Sequence, residues 1–173
     1  MSYNLTNAAQ GGNFCFTNAA LSGLTGGVST YSTGTTAIQV SIKGVLPAAK
    51  TQITGASAPT TDVAKNAFNG SSTPFTPLTA STAAVYVFTL DASGAVGVAQ
   101  GPVKAWTDTS ANSTALDFPA LPDTVTSFAY VVIKLGTTGT AWTFGTNLWN
   151  ATGVVVDSVV NLSLLPGGEA ITA

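Results

Sequence analysis

The chain has 173 residues, of which 7% are charged and 45% hydrophobic, and its net charge is −2; a soluble domain usually carries about 25% charged residues. Five scattered lysines and no arginine exclude the basic face that nucleic acid or an anionic membrane requires. The absence of histidine excludes Ser-His-Asp and Cys-His catalysis and Cys/His zinc sites, and one cysteine, Cys15, excludes an internal disulfide.

In chain order, residues 1–36 are rich in Gly, Asn, Thr and Ser, with Gly11-Gly12 and Gly26-Gly27 as breaks. This composition predicts an N-terminal arm or extended segment, too poor in apolar anchors to offset its own ordering entropy. Phe14 and Phe16 share one side of an extended strand, which makes them the candidate partner contact. Met1-Ser2-Tyr3-Asn4 lacks the basic stretch and apolar run of a secretory signal, and no apolar run reaches the roughly 18 residues of a membrane span.

Residues 37–173 read as a β-sandwich domain. Ala37 to Ile42 alternates, with Ile38, Val40 and Ile42 on one side, and Lys50 to Ile53 reads as a second strand. Asp62 is placed to cap a short helix through Phe68, which Asn69-Gly70 would end. Ala83 to Leu90 is apolar on both faces and predicts a central strand covered on both sides. Asp91-Ala92-Ser93-Gly94 has the pattern of a three-residue hairpin loop, with Gly94 left-handed and Ala95 to Gln100 returning as the partner. Val103 to Trp106 extends that strand or begins another, and Thr107 to Thr114 reads as a polar loop. The two prolines in Phe118-Pro119-Ala120-Leu121-Pro122 rule out a regular central strand. Ser127 to Leu135 is a second strongly apolar strand, which Gly136-Thr137-Thr138-Gly139 turns into Thr140 to Phe144. Gly153 to Leu162, with Val154-Val155-Val156, is the last strand. Many short strands between turn signals predict an all-β, antiparallel, jelly-roll-like sandwich.

No residue is assigned a catalytic, cofactor-binding or metal-binding role. Asp108, Asp117 and Asp123 are the closest acidic trio, but they read as loop acids rather than a glycosidase pair. No ordered Asp-x-Asp-x-Asp calcium loop is present. Trp106, Trp142 and Trp149 suit a core or an interface better than a sugar-binding platform.

Several stretches carry a resemblance: Pro59-Thr60-Thr61-Asp62, VYVFTLDASGAVGVAQG from Val85 to Gly101, FPALPDTV from Phe118 to Val125, Phe128 to Lys134, WTFGTNLW from Trp142 to Trp149, and Leu164-Leu165-Pro166. In this order, from about Thr36 to Pro166, the chain resembles a family of tailed-bacteriophage virion structural proteins. The resemblance implies a non-enzymatic capsid decoration or cement protein, made in the bacterial host cytoplasm and working on the virion. Its partners would be the major capsid protein or another virion protein, and copies of itself, a trimer being favoured. It implies no cofactor. A tail or fibre subunit, a pilin or surface-layer subunit, and a carbohydrate-binding module are the rival readings.

Overall fold

A computed structural model describes residues 12–106 and 116–163. The protein is mostly β and antiparallel. Its elements in chain order are β1 (Phe14–Cys15), β2 (Thr30–Tyr31), β3 (Val40–Ser41), β4 (Ala56–Ser57), α1 (Val63–Asn69), β5 (Thr82–Asp91), β6 (Val96–Gln100), β7 (Lys104–Ala105), β8 (Val125–Leu135) and β9 (Val154–Asn161). One five-stranded sheet has the order β6-β5-β8-β9, with β7 also paired to β5; two short pairs, β1–β3 and β2–β4, stand apart.

The long strands form where β-branched and aromatic residues are densest. All eight residues from Ala83 to Leu90 of β5 are buried, as expected of a central strand covered on both faces. The β5–β6 hairpin closes as the turn pattern predicts. Gly94 has φ +77, the Gly94 N–H donates to the Asp91 carbonyl at 3.0 Å, and the Asp91 N–H donates to the Ala95 carbonyl at 3.1 Å. Beyond β6 the pairing slips by one residue at Gly101-Pro102-Val103, because Tyr86 faces Gln100 but Ala83 faces Lys104. Proline has no ladder donor, so the irregularity falls where Pro102 sits. Two further bulges leave Phe128 in β8 and Asp157 in β9 without direct partners.

One face of the sheet carries Ala84, Tyr86, Phe88 and Leu90 of β5 beside Phe128, Ala129, Val131, Ile133 and Leu135 of β8. A layer of loops and the four short strands covers it. The Tyr31 ring lies 5.4 Å from Phe88, and Tyr86 stacks on Phe144 at 4.6 Å. The opposite face carries Ala83, Val85, Val87 and Ala99, all buried. Over it lie α1, whose Val63 approaches Gly97, and the proline-rich segment 116–122, whose Phe118 meets Tyr130 edge-on at 4.9 Å.

Two sequence expectations are corrected. Residues 12–36 are not a lead-in directed away from their own domain: Cys15, Ala19, Leu21, Leu24 and Tyr31 are buried in the same core as β5 and β8. Their apolar anchors are few, but the sheet face supplies the surface that the segment lacks by itself. Residues 1–11 lie outside the described residues. Thr140 to Phe144 is not the partner of β8, which pairs with β9 instead. Trp142 makes a single antiparallel bridge to Leu78, and Trp142 and Phe144 are both buried in the core; burial of these large rings outweighs a regular ladder.

Candidate functional site

The charged side chains are mostly consumed by one another. Four of the five lysines are ion-paired: Lys43 with Asp123 at 2.9 Å, Lys65 with Asp62 at 3.6 Å, Lys104 with Asp117 at 2.7 Å, and Lys134 with Asp157. The acidic trio therefore does not assemble. Asp117 and Asp123 belong to separate ion pairs, and Asp108 lies outside the described residues. Among the described residues no three His, Cys, Asp or Glu side chains cluster as metal ligands would.

The tryptophans are likewise dispersed. Trp142 and Trp149 are buried with rings 5.6 Å apart, and their N–H groups donate to the Leu148 and Thr30 carbonyls at 3.0 and 2.7 Å. Trp106 sits apart, beneath the Lys134 ammonium at 4.8 Å. Phe14 and Phe16 are half-buried on either side of buried Cys15. Phe14 lines a small cleft of about 200 Å³ with Asn13, Ser127 and Leu162. Burial pushes the Cys15 thiol above its ordinary pKa, although its bond to the Thr17 carbonyl opposes this.

The most organised polar group lies at the β6 edge. Asp62 caps α1, as its position before the helix predicts: one carboxyl oxygen, Oδ1, accepts from the Ala64 N–H at 3.1 Å and from the Gln100 N–H at 3.4 Å. Gln100 continues the network. Its Oε1 accepts from the Thr76 N–H at 2.7 Å, and its Nε2 donates to the Thr76 carbonyl at 2.7 Å and to the Tyr86 hydroxyl at 3.0 Å. Burial pushes the Tyr86 phenol well above its usual pKa, with a smaller rise from Asp62, against the lowering effect of Gln100. The other Asp62 oxygen, Oδ2, is buried without a hydrogen-bond partner. These side chains, with Lys65, Phe68 and Phe118, line a cleft of about 340 Å³.

Sequence reasoning found Asp62 as a cap but missed the network. A signal was present, since Gln100 falls in phase with Val96 and Val98 on the apolar side of β6, where a polar residue must find partners.

The two edges of the sheet differ. At β6, Asp62 bridges Val98 in parallel and α1 packs alongside. At β9, no further strand or bridge is paired among the described residues. β9 exposes Val155 and Val159, one on each face. Other exposed apolar side chains also come in neighbouring sets: Val45 with Leu46, and Val28 with Leu148, where the Val28 carbonyl accepts from the Trp149 N–H. Comparison with protein-family models, with curated proteins and with solved structures gives no match to this chain.

Proposed function

We propose that this chain is a non-enzymatic virion structural protein of a tailed bacteriophage, a decoration or cement protein that binds the major capsid protein and stabilises the shell. The reading includes a jelly-roll-like sandwich, in which the layer bearing β1–β4 serves as the second sheet, and self-association, with a trimer favoured. Assembly in the host cytoplasm and residence on the virion belong to the same reading.

The observation that carries it is the combination of a charge-neutralised surface with a bare, valine-lined β9 edge. Solitary soluble proteins protect such edges with charge or cover, and assembling ones use them. A rigid sheet buried on both faces suits a mechanical role, in which the protein bridges neighbouring subunits and resists pressure from within. A trimer would match the local threefold axes of a capsid. Its contacts would be heterologous, so β9 of one copy would meet a different surface of the next.

Immunogold electron microscopy on phage particles from the host carrying this gene tests the assignment. Gold is expected on the heads. Gold on tails would replace the reading with a tail or fibre subunit, and particles without label would overturn it. Light scattering of the purified protein is expected to show a trimer; a stable monomer across micromolar concentrations would refute self-association.

A further inference from the structure

We propose that the cleft between α1 and segment 116–122 binds a pyranose sugar, free or as the end ring of a glycan. The inference does not depend on the virion reading, and it uses none of the tryptophans.

It starts from the unpaired Asp62 Oδ2. Asp62 is fully buried, and an unsatisfied buried polar atom is costly enough to call for a partner. Its neighbours cannot supply one. The Ala64 and Gln100 N–H groups go to Oδ1, and Gln100 Nε2 is engaged by Thr76 and Tyr86. Lys65 Nζ is 3.6 Å from Oδ2, beyond hydrogen-bond length, and donates instead to Thr76 Oγ1 at 2.7 Å. An ammonium has three donors, so Nζ keeps capacity for another acceptor. The contact to Thr76 is at the surface, so the lysine can re-aim without breaking a buried bond.

The site therefore lacks a donor for Oδ2 and offers a donor at Nζ. A ligand carboxylate would meet Asp62, and a ligand amine would meet Lys65. A hydroxyl satisfies both, because it donates and accepts at one atom. The walls add a second requirement. Phe68 is 73% exposed and Phe118 is 56% exposed, and both line the cleft from different elements. Aromatic faces are electron-rich and apolar, and they stack on the weakly positive C–H face of a sugar ring. A molecule with hydroxyls at its rim and C–H groups on its face is a saccharide. The cleft, about 340 Å³, falls within the usual range for small-ligand sites.

The test is a two-dimensional NMR titration of the full chain with D-glucose, D-galactose and N-acetyl-D-glucosamine, each to about 50 mM, which suffices for a millimolar site. The same titration is run with a trisaccharide of whichever sugar binds. At least one sugar is expected to shift the amides of Lys65, Phe68, Gln100 and Gly101. Phe68→Ala combined with Phe118→Ala, both at exposed positions, is expected to weaken binding about tenfold or more with the spectrum otherwise unchanged. Asp62→Asn, which retains a capping oxygen, should also lose binding. Tighter binding of the trisaccharide identifies a glycan as the ligand, and equal binding a free sugar. If no sugar shifts the cleft amides, or the shifts persist in the double variant, the proposal is overturned, and Oδ2 is satisfied by water alone.

Discussion

Gly94 and Gly145 both have positive φ, +77 and +71, but a side chain would cost differently at each. A Cβ on Gly94 would meet only the Lys50 side chain, at 3.8 Å, so the penalty there is conformational. Gly94→Val should destabilise the protein by about 1–2 kcal/mol. A Cβ on Gly145 would stand 2.1 Å from the Pro59 carbonyl oxygen, backbone that cannot step aside. Gly145→Ala should therefore lose an additional 1–3 kcal/mol or so through overpacking. Denaturant midpoints of the two variants would check the order; equal midpoints would show that the Pro59 contact relaxes freely. Asp91 governs pH dependence at the same hairpin. Burial raises its pKa, but hydrogen bonds from the Ser93 hydroxyl and from the Ala95, Ser93 and Gly94 N–H groups outweigh this, and the net shift is downward. A depressed folded value means that its stabilisation is full above the unfolded value, about 3.9, and is lost as pH falls through the folded value. The stability gap between the native protein and Asp91→Asn should accordingly be present near neutral pH and close in strong acid. A gap independent of pH in urea melts would contradict this. Gly94 and Asp91 were legible in the sequence because their roles are local. Gly145 and Gln100 were not, since what constrains them comes from residues far along the chain.

At the scale of elements, β5, β6, β8, β9 and α1 were all readable from runs of apolar residues and from turn and cap signals. The two-residue strands β1 to β4 were not, because they have no periodicity of their own. They are held by tertiary bonds such as Thr126 Oγ1 to the Ser41 carbonyl at 2.8 Å. Trp142 misled for a related reason: its turn pattern suggested a hairpin with β8, while its indole is buried in the core. The β9 edge supports a direct test. Val155→Lys with Val159→Lys places charge on an edge already exposed, so the melting temperature should change little. Self-association should weaken about tenfold or more, because lysine on a bare edge opposes pairing. Sedimentation over a concentration series would read this, and unaltered association would move the interface elsewhere. The cleft was half legible: its cap and its apolar neighbours were visible in the sequence, but their convergence depends on segment 116–122 folding back across the sheet.

For the molecule as a whole, residues 12–36 decide whether the core closes. Five of their side chains, from Cys15 to Tyr31, lie in it. Loss of one buried aliphatic side chain costs about 2–5 kcal/mol, against a total stability of about 5–15 kcal/mol for a domain. A variant lacking residues 1–31 should therefore fail to show a cooperative melt or should aggregate; a sharp transition in circular dichroism would show that the sheet stands without its cover. The bonds that hold this segment span great lengths of chain. Asn13 Nδ2 donates to the Asp123 and Val125 carbonyls, each at 2.8 Å; Trp149 Nε1 reaches the Thr30 carbonyl; and the Leu21 N–H reaches the Asn161 side chain, 140 residues away, at 2.8 Å. During synthesis, residues 12–31 leave the ribosome long before these partners exist. Closing such loops is entropically slow, and folds dominated by distant contacts take milliseconds to seconds. Leu21, Leu24 and Tyr31 thus travel uncovered until β9 emerges, so the nascent chain depends on chaperones or dilution for most of its translation.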